Sequence, residues 1–192
     1  MRAELSEREL VDWARAGDRE AFAELVRRHH VRVLGFCRSM LGDATSAEDA
    51  AQEVFIKAFR SIDGFRGGSA FYTWLHRIAV RHCLDLLRGE ARRKTRSWDA
   101  LLEAEGDKVS ALLSQPDSSR TLEDRDLAAR LLAALPPEYR AVLSLREMQG
   151  LSYEEIAETM GCTVDSVKAR LQRARRDLTE RLRHFLGPRD VK

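Results

Sequence analysis

The 192-residue chain is 33% charged, 44% hydrophobic and only 7% aromatic, with four prolines, 11 glycines and a net charge of +2. These proportions exclude collagen-like and other low-complexity chains, and no apolar run approaches the roughly 20 residues that a bilayer span requires. Three scattered cysteines (Cys37, Cys83 and Cys162) match neither a disulfide framework nor a Cys-x2-Cys metal site, which points to a reducing cytoplasm.

Leu, Ala and Arg dominate while Val, Ile and Thr are sparse, so the composition favours helices. The opening residues carry Glu4, Glu7 and Glu9 where a secretory leader needs an apolar core, so no signal peptide is expected. The first helix is predicted from Asp18 to Leu41. Asp18 is its cap, Phe22, Leu25, Val26, Val33, Phe36, Cys37 and Met40 recur at helical spacing, and Gly42-Asp43 ends it. Ser46 and Asp49 form S-x-x-D, a variant of the capping box, which predicts a second helix over Ala47–Ser61. One stripe of that helix is Ala47, Ala50, Ala51, Val54, Ala58 and Ile62. Another face carries Asp49, Gln52, Glu53, Ile56, Lys57 and Arg60. Three glycines between Gly64 and Ser69 predict a loop. A third helix follows over Ala70–Arg88, with Phe71, Trp74, Leu75 and Ile78 turned inward and Arg77, Arg81 and Arg88 on another face.

Residues 96–121 break the helical pattern and are acidic, and they are predicted to be a flexible linker between two domains, 1–95 and 122–186, with a tail at 187–192. In the second domain Leu127, Leu131, Leu132 and Leu135 predict a helix stopped by Pro136-Pro137. Pro137 suits the first turn of the next helix, which closes near Gly150. Neither domain shows the alternating pattern of a strand. The fold class is therefore all-α.

The sharpest local signal is Leu151–Leu178. Ser152 and Glu155 form a capping box, and Gly161 suits a left-handed turn. Thr163 can cap a second helix, and the apolar branched Val167 can reach back beside Ile156. Small Ala157, then Gly161, then Val167 is helix-turn-helix spacing. The second helix exposes Lys168, Arg170, Gln172, Arg173, Arg175 and Arg176, and residues 163–192 carry nine Lys/Arg against four Asp/Glu. Arginine on such a helix suits guanine edges or phosphate.

Other clusters are less specific. Glu48, Asp49, Gln52 and Glu53 have no neighbouring nucleophile or His, so a solvated or protein-docking face outweighs catalysis. Phe65, Phe71, Tyr72 and Trp74 beside Arg66, Arg77 and Arg81 combine stacking surface with cations, as single-strand binding requires, although core packing is the better account of these aromatics, especially of Phe71 and Trp74. The five histidines fit no ligand spacing, and no P-loop is present, so no metal, cofactor or small-molecule substrate is expected.

Two stretches in this order, SAEDAAQEVFIKAFRSIDGFRGGSAFYTWLHRIAVRHCLDLLR and LPPEYRAVLSLREMQGLSYEEIAETMGCTVDSVKARLQRARRDL, resemble the group IV, or extracytoplasmic-function, bacterial sigma factors. The resemblance covers residues 5–95 and 122–184, and FRGGSAFYTWLHRIAV is most like the envelope-stress type. It implies an alternative sigma factor rather than an enzyme. It also implies that Asp49, Gln52, Glu53 and Ile56 dock on the clamp coiled coil of the polymerase β′ subunit. Phe65, Arg66, Ser69, Tyr72, Arg77 and Arg81 would read and melt the −10 element, with an unstacked base held at the loop. Lys168, Ala169, Gln172, Arg173, Arg175 and Arg176 would meet −35 duplex, and the helical pair before the turn would engage the β flap. The implied partners are core RNA polymerase, promoter DNA and an anti-sigma factor, typically membrane-linked. A stand-alone helix-turn-helix regulator explains 152–178 equally well but leaves 46–88 without a role and lacks an evident dimerisation element. An enzyme with a DNA-binding tail has no nucleophile–base set to support it.

Overall fold

The computed structural model describes residues 4–101 and 131–186, and all regular structure among them is helical. In the first domain α1 spans Glu7–Arg15, α2 Arg19–Leu41, α3 Ala44–Ser61 and α4 Phe71–Leu101. The second contains α5 Pro137–Leu143, a π turn over Ser144–Met148, α6 Tyr153–Met160 and α7 Val164–Leu186. No described helix is long and apolar enough to cross a membrane.

Local chemistry explains most boundaries. Asp18 caps α2 by accepting from the backbone N–H groups of Glu20 and Ala21 at 2.9 and 3.0 Å. Gly42 ends it in the left-handed region at φ 85°, which costs glycine little and other residues more. Ser6 and Glu9 form a reciprocal capping box for α1, a helix absent from the sequence reading although its S-x-x-E signal was available.

Three predicted boundaries need correction. The cap of α3 is Asp43, which accepts from the Ser46 N–H at 2.7 Å, so the helix starts three residues early and Ser46 lies inside it. That bond holds the Asp43 carboxyl below its usual range. The third predicted helix runs on to Leu101, past the expected end at Arg88 and past the expected domain edge at 95. The run Glu90-Ala91-Arg92-Arg93-Lys94 consists of good helix formers and contains no breaker. Residues 96–101 of the predicted linker are therefore helical, and the rest of it lies outside the described residues, as do Leu127 and the tail.

The first core is built on α2, whose Val33, Phe36 and Met40 are fully buried with Leu10 of α1, Val54 of α3 and Leu75 of α4. The alanine stripe of α3 (Ala47, Ala50, Ala51 and Ala58) is buried too. In the second core Leu135, Leu145, Leu151, Ile156, Val167 and Leu171 are all at most 2% exposed. Pro137 stands at the start of α5 as expected.

The two domains touch. Arg140 of α5 is only 6% exposed. Its guanidinium donates to the carbonyl of Met40 in the last turn of α2, and to the carbonyls of Ala133 and Leu135 beside its own helix. A cation there complements the negative end of the α2 dipole. Desolvation lowers the Arg140 pKa from its usual value.

Candidate nucleic-acid and protein interfaces

Three surfaces collect the predicted functional residues. The first lies on α2 and α3. Asp49, Gln52 and Glu53 are exposed and Ile56 is half-buried. Gln52 and Ile56 line an apolar groove of about 970 Å³ together with Phe22, Val26, Phe55 and Phe59. Phe59 remains 40% exposed, with its ring edge-on to Phe22 at 5.0 Å. The charged side chains that line the groove are Glu48 and Arg60, while Asp49 and Glu53 are exposed on α3 outside that lining. An apolar groove of this kind suits an amphipathic helix.

The second surface surrounds the loop between α3 and α4. Arg66 and Gly67 are exposed, and Ser69 is half-buried. They line a cavity of about 430 Å³ whose opposite wall is α1, through Arg8, Asp12 and Arg15. The α1 wall was not visible in the sequence reading, because nothing in residues 7–15 announces which loop they face. Phe65 lines the same cavity but is largely buried. It is 8% exposed and packs against Phe71 and Trp74 at centroid distances of 5.8 and 5.3 Å. Its ring thus packs into the core at the edge of the cavity, beside the exposed Arg66 and the half-buried Ser69. Farther along α4, Arg77 and Arg81 are exposed and Tyr72 is half-buried. The Arg32 guanidinium lies over the Tyr72 ring at 4.7 Å, and burial pushes the Tyr72 hydroxyl up to about 12.

The third surface is the helix-turn-helix of α6 and α7. Ser152 accepts from the Glu155 N–H at 3.1 Å, and the Glu155 carboxylate accepts from the Ser152 N–H at 2.8 Å. Gly161 turns the chain at φ 63°, and Thr163 accepts from the Ser166 N–H at 3.2 Å. Val167 and Ile156 are fully buried, which sets the angle between the two helices. Lys168, Ala169, Gln172, Arg173, Arg175 and Arg176 are all exposed on α7. Their cations differ in availability. Arg175 donates to Glu147 at 2.6 Å, whereas Arg173 has only a 3.5 Å contact with the Tyr139 hydroxyl, and Arg176 meets Asp177 and Glu180 at 3.5 and 3.9 Å.

Several residues join these surfaces and have no counterpart in the sequence reading. Arg77 donates to Glu158 of α6 at 2.8 Å. Tyr72 donates to the Gln149 side chain at 2.8 Å, and the Gln149 amide donates to the Arg32 carbonyl at 3.4 Å. Arg88 meets Glu138 at 3.4 Å. No signal in a single sequence pairs positions this far apart. Among the described residues no group of His, Cys, Asp and Glu could hold a metal ion.

Comparison with known proteins finds two matching stretches. Residues 25–93 match the model for sigma-70 region 2, and residues 125–178 match that for sigma-70 region 4. The sigma-H factor of Pseudomonas aeruginosa is 37% identical over 184 residues, covering 94% of this chain and 95% of the relative. The ECF sigma-E factor of Escherichia coli K12 is 38% identical over 190 residues, covering 97% and 99%. Among solved structures, CnrH in complex with the cytosolic domain of CnrY aligns at a TM-score of 0.69 and 27% identity over 92% of this chain and 96% of CnrH. A sigma factor from Bartonella quintana, solved with the anti-sigma factor NepR, aligns at 0.61 and 26% over 84% and 96%.

Proposed function

The chain belongs to the extracytoplasmic-function sigma factors of the sigma-70 family, non-enzymatic factors of alternative transcription initiation, and from that premise we propose how its surfaces divide the work. The groove of α2 and α3, with Asp49, Gln52, Glu53 and Ile56, docks on the β′ clamp coiled coil of core RNA polymerase. The cavity at Arg66 and Ser69 takes an unstacked base of the −10 element, and Arg77 and Arg81 follow the backbone of the same strand. Helix α7 lies in the major groove of the −35 duplex, and the helical segment of α5 and its π turn meets the β flap. The reading rests foremost on one observation. A single chain carries both an apolar groove, on a helix with exposed carboxylates, in one domain and an exposed row of cations on the recognition helix of another. A stand-alone regulator needs only the second.

An anti-sigma factor holds the protein inactive until a signal releases it. Support comes from the CnrY and NepR complexes of its structural neighbours, and an inhibitor helix could use the same apolar groove. Core polymerase pull-down followed by run-off transcription on a library of random promoters tests the whole assignment. A tight complex and promoter-selective transcripts are expected. A chain that ignores polymerase but binds duplex as a two-fold dimer is the regulator instead.

Arg173 and Arg176 separate sequence reading from positioning. Arg173 sits one turn beyond Ala169 and clear of the buried Val167 and Leu171. Arg173→Ala is expected to lower promoter affinity on the order of tenfold and to relax preference at one or two −35 base pairs. Arg176→Ala should weaken all sequences alike and reduce the salt slope by about one. Competitive binding of holoenzyme to a −35 library checks both. Uniform weakening by Arg173→Ala would move that residue to the phosphate group.

A further inference from the structure

We propose that Cys37 and Cys83 form a redox pair, which hydrogen peroxide converts into a disulfide between α2 and α4. The bond is a reversible staple through the core of the first domain. It depends on neither the polymerase nor the DNA assignments made above.

The fold brings the two thiols together from positions 46 residues apart. Cys37 lies on α2, and Cys83 lies on α4 one turn after the buried Ala79. Both are free thiols and both are 0% exposed. The Cys83 thiol donates to the Cys37 sulfur at 3.9 Å. Disulfide sulfurs stand about 2.05 Å apart, so bond formation asks for a further approach of roughly 2 Å, within the scale of side-chain rotation at two cysteines. Cys162 has no such neighbour. It is half-buried in the second domain, and its sulfur meets the Arg170 guanidinium at 3.7 Å.

The pairing decides the chemistry. The hydrogen bond to Cys37, together with burial, holds the Cys83 thiol protonated well above its usual range. The thiolate is the nucleophile, so oxidation proceeds from transient local openings of the core and is slow. Peroxide is small enough to enter such an opening. The first sulfur takes one oxygen from it: the O–O bond breaks, a sulfenic acid forms, and water leaves with the thiol proton. The second sulfur then attacks the sulfenic sulfur. The S–S bond forms, the S–O bond breaks, and a second water carries off the second thiol proton. Two thiols are oxidised and one peroxide is reduced to two waters. Because the partner thiol is already in contact, the sulfenic acid condenses before more peroxide can take it to the irreversible sulfinic acid.

The staple closes a loop that runs from α2 through α3 and the loop after it into α4. Most of the first domain's functional surface is inside that loop, including Asp49, Gln52, Glu53, Arg66 and Ser69. A cross-link of this span removes many conformations from the unfolded chain, while the folded core keeps both sulfurs where they already meet. The first domain therefore becomes harder to unfold under oxidative exposure. A thiol reductant returns it to the original state by exchange through the same openings.

The test uses the full wild-type chain, treated with excess hydrogen peroxide, alkylated in denaturant and digested. Mass spectrometry should find the peptides of Cys37 and Cys83 joined, with the loss of two hydrogens. Thermal unfolding followed by tryptophan emission should shift upward on the order of 10 °C after treatment, and dithiothreitol should reverse the shift. Cys37→Ala and Cys83→Ala, made singly, should each abolish both the linkage and the shift. The linkage is read on wild type, so a variant that fails to fold leaves that result standing. Alkylation of both thiols after treatment, conversion of either to sulfinic acid, or linkage through Cys162 instead would each overturn the proposal. So would a Cys37–Cys83 disulfide that leaves the melting temperature unchanged, or an upward shift that persists in either alanine variant.

Discussion

Replacing Asp49 and Glu53 together by Lys is expected to weaken binding to core polymerase by about 100-fold, or roughly 3 kcal/mol. Both side chains project from α3 into solvent beside the groove of Phe22, Val26, Phe55 and Phe59. Reversing them turns attraction toward a basic helix rim into repulsion at two points. Neither carboxylate takes part in the core, whose α3 contribution is the alanine stripe with Val54 and Phe55. Helical content and thermal stability should therefore hold while the complex is lost. Titration of labelled core polymerase measures the effect, and circular dichroism measures the control. An unchanged dissociation constant removes this face from the polymerase assignment. A fall in both affinity and stability would mean that the carboxylates support the fold rather than the contact.

Acid should destabilise the first domain through one buried ring. His76 is 0% exposed and lies against Tyr72 and Phe36, at centroid distances of 4.1 and 5.7 Å. Its Nδ1 donates to the Tyr72 carbonyl at 3.1 Å, and its Nε2 is buried without a partner. Burial drives its pKa from 6.5 down to about 4, against the smaller upward pull of that hydrogen bond, and the nearby His29 and Arg32 push the same way as burial. The unfolded chain then binds a proton below pH 6.5 that the folded chain refuses until about pH 4. Stability from the neutral ring is complete above pH 6.5 and is lost as pH falls from 6.5 to 4. Such a shift corresponds to about 3 kcal/mol. Urea unfolding followed by tryptophan emission reports on this domain, because Trp13 lies in α1 and Trp74 and Trp98 lie in α4. Between pH 6.5 and 4 the wild type should lose stability with a slope one proton steeper than His76→Leu. Parallel slopes would show that the ring does not control the acid limb.

The same ring shows where sequence reading stops. Helical spacing turns Phe71, Trp74, Leu75 and Ile78 of the third helix inward, but a lone histidine such as His76 carries no spacing signal. Its burial follows from α2 crossing α4, which no local pattern encodes. Phe65 is the converse case. Beside Arg66 and a glycine loop it has the composition of a stacking site, yet the turn back into α4 folds it onto Phe71 and Trp74. Composition identifies a ring and a loop, and only packing decides whether the ring faces solvent.

Elements whose ends are set by neighbouring residues were readable in one dimension. Asp18 and Gly42 bound α2, Ser152 and Glu155 open α6, and Gly161 and Thr163 make the turn, because caps and left-handed turns are closed by groups within a few residues of each other. The exposure of Lys168, Ala169, Gln172, Arg173, Arg175 and Arg176 follows from the same 3.6-residue period that buries Val167, Leu171 and Ala174. The sequence by itself thus determined an all-helical chain, its two motif-bearing domains and the sigma-family assignment. The wall that α1 gives to the cavity at the α3–α4 loop, the apolar groove between α2 and α3, and the union of Arg77 with Glu158 and of Tyr72 with Gln149 were decided by the tertiary structure alone. Each joins residues on different helices, some of them nearly 80 positions apart. Such contacts depend on how helices pack, and packing is a property of whole faces rather than of any local run of residues.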